Sequence, residues 1–175
     1  MQGTLLDTPT LDAQAQTGES LGALSERTPT MLVFTRHLGC PFCREVLTIL
    51  AARREGIEAT GVQIALVHMA SEAQAAPFFT HYGLGDLPRF ADPAKKLYQA
   101  FGLKQMRLSE FLTPRFWRKG RVMARRNGGG LPVGDVFQLA GTFVIFQGRI
   151  VQEIRTTRSS DIPELPAAES KQNDS

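Results

Sequence analysis

The 175-residue chain is 42% apolar and 21% charged, the composition of a single globular domain with room for a full core, which excludes a fibrous or low-complexity protein. No apolar run approaches the ~20 residues of a membrane span. The net charge of +3 is too mild to argue for nucleic acid by itself, and two cysteines are too few for a disulfide-stapled scaffold.

Residues 1–29 are polar and turn-rich, and the opening MQGTLLDTPTLDAQ lacks the basic start and apolar stretch of a secretory leader. A cytoplasmic, reducing setting is therefore expected. The apolar residues Leu5, Leu6 and Leu11 predict a short strand or hairpin over Leu5–Leu11, followed by a small helix over Glu19–Ser25. Thr30–Thr35 is apolar and β-prone, and reads as the first buried strand.

Both cysteines lie just beyond that strand, in Cys40-Pro41-Phe42-Cys43. If a helix begins at Cys40, Pro41 takes the first helical position, where its missing N–H costs nothing. Cys40 then meets the unpaired N–H groups and positive dipole end of the helix, which favour a thiolate. Cys43, one turn on, falls on the same face within bonding reach. This makes Cys40 the candidate nucleophile and Cys43 the candidate resolving thiol, with Arg36, His37 and Arg44 adding positive charge nearby. A metal half-site and two structural thiols are the competing readings. Zinc wants four ligands, and the three histidines (His37, His68, His81) form no second paired motif.

The helix is predicted from Cys40 to about Glu55, with Val46, Leu47, Ile49 and Leu50 on its apolar face and Gly56 marking its end. Gly61–Val67 reads as a second buried strand, completing a right-handed βαβ unit. Ser71 is expected to cap a helix over Glu72–Tyr82, with Phe78 and Phe79 turned inward. His68, at the end of the second strand, is read as a satisfied boundary histidine. Phe90-Ala91 forms a short strand, Asp92 a cap, and Pro93 the start of a helix running to about Phe101.

Between Lys104 and Arg126, eight basic residues face one acidic residue, Glu110, with Phe111, Phe116 and Trp117 interleaved. This segment is expected to be a solvated helical flap over the active site, with Phe116 and Trp117 packed inward. A docking surface for an anionic partner and a nucleic-acid or membrane contact are its other readings. Thr142–Phe146 then forms a strand, turned by Gln147-Gly148 into another over Arg149–Arg155. Thr156–Pro166 is expected to add a short helical turn, and residues 167–175 to be a disordered tail.

Arg36, His37, Gly39, Cys40, Cys43, Arg44 and Glu45 together resemble the peroxiredoxin-like branch of the AhpC/TSA group, thioredoxin-fold proteins also called selenoprotein-L-like redox proteins. The stretches Leu87–Leu103 and Gly134–Phe146 are similar as well. The resemblance implies a single thioredoxin-like domain over residues 1–166: an α/β protein whose central mixed sheet is flanked by helices, with the basic insertion before a C-terminal hairpin. It implies a peroxiredoxin-like antioxidant in which Cys40 attacks a peroxide or disulfide and a Cys40–Cys43 disulfide closes. An external thiol of thioredoxin or glutathione type then restores the site, without a bound cofactor or metal. Thr35, Pro41 and Gly141 are supporting candidates, the last for close approach of a substrate backbone.

The sequence departs from the common peroxiredoxin pattern at three places. His37 stands where a threonine precedes the reactive cysteine by three residues, and Val33 where a proline precedes it by seven. Ala140 stands nearest the arginine that lies before the late strand. A general protein disulfide oxidoreductase, a non-catalytic protein docking partners through residues 104–126, and a zinc-bridged dimer are the alternatives.

Overall fold

The structure, a computed structural model, describes residues 3–107, 109, 112–128 and 130–155. Its elements in chain order are β1 (Thr4–Leu5), α1 (Thr8–Leu11), α2 (Leu21–Arg27), β2 (Thr30–Phe34), α3 (Pro41–Ala59), β3 (Gln63–His68), α4 (Glu72–His81), β4 (Arg89–Ala91), α5 (Lys96–Ala100), α6 (Pro114–Asn127), β5 (Gly141–Phe146) and β6 (Arg149–Arg155). The six strands form one sheet in the order β1-β6-β5-β2-β3-β4. β2 pairs in parallel with β3, and β3 with β4, as the βαβ reading expects, while β5 and β6 add antiparallel neighbours. This is the mixed sheet flanked by helices of a thioredoxin-like fold.

Alternation along the central strands divides the core between two faces. Leu32, Phe34, Ala65, Val67, Phe143 and Ile145 pack against α2 and α5. Met31, Val33, Ile64, Leu66 and Val144 pack against α3 and α4. On the first face, Phe34 meets Tyr98, Phe101 and Phe143 at ring-centroid distances of 5.0–5.5 Å. The Tyr98 hydroxyl uses that cluster as a platform, donating to the Thr35 carbonyl at 2.6 Å.

Four local expectations are corrected. Residues 5–11 form a two-residue strand and a helical turn, not a hairpin, because Asp7 accepts the Thr10 N–H and Pro9 sits in the first turn. α3 runs through Gly56 to Ala59: Gly56 has open space around it, and Ile57, buried beyond it, anchors one more turn. The chain reverses at Gly61, whose φ of +80° suits glycine. α5 spans Lys96–Ala100 and does not start at Pro93, because Lys95 adopts φ +58° and Asp92 accepts the N–H groups of Lys96, Leu97 and Tyr98. Phe79 is fully buried, whereas Phe78 is half-buried at the edge of the same core. The β5–β6 turn has positive φ at both Gln147 and Gly148, which matches the twist of a tight hairpin. The expectations for residues 156–166 and 167–175 lie outside the described residues.

Asp92 is buried and gathers three amide protons at one carboxylate. Asp92→Ala is expected to lower unfolding stability by about 2–3 kcal/mol, the loss of a cap with charge-assisted bonds. Urea denaturation checks this, and a change below about 0.5 kcal/mol, the range of an ordinary surface substitution, would contradict it.

Candidate active site

The interior strand β2 ends at Phe34, and a five-residue loop, Thr35–Gly39, carries the chain into α3. Cys40 is the N-cap residue, in extended conformation, and Pro41 occupies the first turn. The Cys40 N–H donates to the His37 carbonyl at 3.0 Å, and the Cys40 carbonyl accepts from the Arg44 N–H at 3.2 Å. Its sulfur is thus held at the positive end of a 19-residue helix. Cys43 follows one turn later, and its Sγ accepts the Arg36 backbone N–H at 3.1 Å. Both cysteines are free thiols, exposed by only 1% and 4%.

Arg36 reaches the sulfurs by two routes, its backbone to Cys43 and its side chain to Cys40. Its Nε donates to the Gln138 carbonyl at 3.0 Å and its Nη2 to the Val136 carbonyl at 2.8 Å. With the fork fixed there, Nη1 lies 3.5 Å from the Cys40 Sγ. A buried guanidinium held by neutral carbonyls keeps its full charge available to a thiolate.

The two sulfurs are driven apart electrostatically. Cys40 is held well below the ordinary thiol range, first by the hydrogen bond from Cys43 and then, against the cost of burial, by the His37 side chain and the Arg36 charge. Burial pushes the Cys43 thiol well above that range, and its bond to Cys40 adds to the effect. The surroundings thus favour the negative charge on Cys40 and the proton on Cys43.

Residues 130–139 form a strap over this loop. The Leu38 N–H donates to the Val133 carbonyl at 3.1 Å, and the carbonyls of Gly130 and Leu131 occupy the space a Cβ at Gly39 would need. Asp135 pins the strap by accepting from the Phe137 N–H, Lys95 Nζ and Gln105 Nε2 at 2.7–2.8 Å. Gln138 ties it to the Lys104 carbonyl at 3.2 Å. Sequence reasoning overlooked Val136, Gln138, Asp135 and Tyr98. The first two act through backbone carbonyls, which leave no trace in residue type; the packing role expected for Tyr98 gave no hint of its hydroxyl.

The other candidates take more varied positions. The Thr35 hydroxyl donates to the Val67 carbonyl at 3.0 Å, closing the end of the β2–β3 ladder, and the residue borders the same small void as Cys43. Arg44 lies over the Phe78 ring at 5.6 Å. The room expected beside Gly141 is filled by Leu103 and the Phe143 ring, so this glycine serves packing. His68 is fully buried, contacts the Ala70 carbonyl at 3.1 Å, and is pushed toward its neutral form by burial.

α6 does lie across the N-terminal turn of α3, with Met123 packed against Cys40, Phe42 and Cys43. Arg126 reaches Glu45 at 3.6 Å. Trp117 is not packed inward as expected: Met123 packs against the cysteine pair, and Trp117, 49% exposed, lines a cleft of about 680 Å³ that has Cys40 in its wall. The Phe116 side chain lies outside the described residues. No helix among the described residues is long and apolar enough to cross a membrane.

The sequence pattern of the AhpC/TSA antioxidant enzyme family matches residues 49–158, well over half the chain, starting just past the two cysteines. No curated protein matches the sequence. Among solved structures, the chain resembles the bacterioferritin comigratory protein of Xanthomonas campestris, described for alkyl peroxide reduction, with 17% identity over 91% of this chain and 90% of that one and a TM-score of 0.64. It also resembles peroxidoxin BcpB of Mycobacterium tuberculosis, with 18% identity, 91% and 90% coverage and a TM-score of 0.60. Reduced Prx3 of Vibrio vulnificus, in complex with hydrogen peroxide, gives 15% identity, 90% and 88% coverage and a TM-score of 0.63. These likenesses show the fold.

Arg36→Met is expected to raise the pH at which the Cys40 thiolate forms, followed by thiolate ultraviolet absorbance in an acid titration. Cys43→Ala is expected to raise it further, because the Cys43 hydrogen bond contributes most. Titrations unchanged in both variants would show that neither group acts on the Cys40 sulfur.

Proposed function

Because the chain belongs to the AhpC/TSA antioxidant enzyme family, a group of thiol-dependent oxidoreductases, we propose that it reduces peroxides through Cys40, with Cys43 as the resolving thiol. The observation that carries this reading is the division of charge between the two sulfurs, with the Arg36 guanidinium beside the one that is ionised.

The Cys40 thiolate attacks one peroxide oxygen, the O–O bond breaks, and the leaving oxygen departs as hydroxide or alkoxide and takes a proton from water. Cys40 is left as a sulfenic acid. Cys43 then attacks that sulfur; its proton and the sulfenic hydroxyl leave as water, and the Cys40–Cys43 disulfide closes. An external thiol reduces the disulfide. A reducing, cytoplasmic setting suits this cycle.

Arg36 supplies a charge that the usual arrangement takes from elsewhere. Ala140 stands near the position of the common peroxiredoxin arginine, yet the Arg36 guanidinium is bonded to Val136 and Gln138, in the segment just before Ala140. A guanidinium reaches the thiol from the loop before α3, beside the sulfur at which a peroxide would react and develop charge. His37 adds to it. The burial of Cys40 favours a small peroxide over a disulfide in a folded protein, which has no direct approach to a sulfur 1% exposed.

Stopped-flow mixing of reduced protein with hydrogen peroxide tests this. Wild type is expected to close its disulfide faster than free cysteine reacts by about two orders of magnitude or more, the scale of a preorganised donor set. Cys43→Ser is expected to stop at the Cys40 sulfenic acid, seen as one added oxygen by mass spectrometry. Oxidation no faster than free cysteine would sink the peroxidase reading.

The same experiment across pH has a defined shape. The reactive species is the thiolate and its pKa is lowered, so the rate is expected to hold to a lower pH than that of an ordinary thiol and to fall as acid protonates Cys40. A rate climbing between pH 7 and 9, as for an ordinary thiol of pKa about 8.5, would contradict the assignment.

A further inference from the structure

The cleft at Cys40 is larger than a peroxide requires. Its volume of about 680 Å³ lies within the roughly 300–1,000 Å³ of sites that hold whole organic molecules. Cys40 forms part of its wall, together with Phe42, Trp117, Arg121, Pro132 and Val136, but Cys43 does not. Cys43 borders a separate void of only about 10 Å³ beside Phe34 and Val46. Once the two sulfurs are joined, Cys40 is the one within reach of a molecule in the cleft.

The charge of the roof is one-sided. The α6 sequence carries Arg115, Arg118, Lys119, Arg121, Arg125 and Arg126 and no acidic residue. Arg121 lines the cleft and makes no ion pair or hydrogen bond among the described residues. Trp117 and Phe42 supply flat apolar surface next to it.

We propose that the reductant restoring Cys40 is a low-molecular-weight thiol carrying carboxylates, bound in this cleft with a carboxylate on Arg121 and its carbon chain against Trp117 and Phe42. The proposal rests on the thiol-redox reading of Cys40 and names the partner of that same site. A protein dithiol suits the geometry less well, because Cys40 is 1% exposed beneath α6 and a protein loop has to displace the helix. A small thiol enters beside it.

The donor thiolate attacks the Cys40 sulfur. A bond between Cys40 and the donor forms as the Cys40–Cys43 bond breaks, and Cys43 leaves and takes up a proton, the state its surroundings favour. A second donor thiolate attacks the donor sulfur of this mixed disulfide, releasing Cys40 as thiolate and the donors as their own disulfide. Two donor thiols lose the two electrons that the protein disulfide gains.

The test uses protein oxidised with diamide, so that it does not depend on peroxide chemistry. Reduction is followed with glutathione, glutathione diethyl ester, dithiothreitol and reduced thioredoxin. Each rate is divided by that thiol's rate with a small aromatic disulfide, which removes intrinsic reactivity. Glutathione is expected to exceed its ester by about tenfold or more, the scale of one charged hydrogen bond, with the gap closing as salt rises. Arg121→Glu is expected to slow glutathione about tenfold relative to the same variant's reduction by dithiothreitol, a comparable loss of one charged contact. Equal normalised rates for glutathione and its ester, or a thioredoxin rate above that of glutathione, would overturn the proposal. Fast glutathione reduction in a protein that peroxide oxidises slowly would support it while removing the peroxidase reading.

Discussion

The site depends on one side chain placed between two backbones. Arg36 spends two of its donor positions on the carbonyls of Val136 and Gln138 and directs Nη1 to the Cys40 sulfur, while its own N–H holds Cys43. Without the strap of residues 130–139, the guanidinium has no fixed direction. Without the guanidinium, the Cys40 sulfur loses the charge that the strap holds 3.5 Å from it. The fork geometry of arginine suits this double duty; a lysine ammonium, a single point of charge, does not hold the two carbonyls and the sulfur in the same way.

Burial sharpens the difference between the two sulfurs. Both lie in low-dielectric surroundings, where an isolated thiolate is costly. Cys40 offsets that cost with the Cys43 hydrogen bond, His37, Arg36 and its position at the head of α3. Cys43, deeper in the helix and facing Phe34, Val46 and Ala140, gains much less and keeps its proton. On the proposed reading, the order of reactivity follows from the strand–loop–helix junction. The sheet contributes through Tyr98, whose hydroxyl bonds to the Thr35 and Val67 carbonyls and joins the end of β2 to β3 just before the site loop.

Much of this was legible in the sequence, for identifiable reasons. The apolar run Thr30–Phe34, the Pro41 start of α3 and the Gln147-Gly148 turn each express a local preference that the fold retains. The placement of the cysteine pair at the head of α3 was legible because Pro41 and the spacing of the two residues are local features of one helix. Expectations failed where a distant partner decided the outcome. Gly56 stays helical because Ile57 finds the core, α5 starts late because Asp92 draws three amides to itself, and Met123, not Trp117, packs against the cysteine pair. The support of Arg36 by residues 136–138 was illegible because carbonyls a hundred positions away carry no side-chain signal.

The central claim is that, at rest, Cys40 carries the negative charge and Cys43 the proton. Alkylation with limiting iodoacetamide at mildly acidic pH, mapped by mass spectrometry, tests it directly. The account predicts that Cys40 is labelled and Cys43 is not, with labelling persisting well below the pH at which an ordinary thiol stops reacting. Labelling of Cys43 first, or loss of labelling at both residues as soon as the pH falls below about 8.5, the ordinary thiol value, would contradict it.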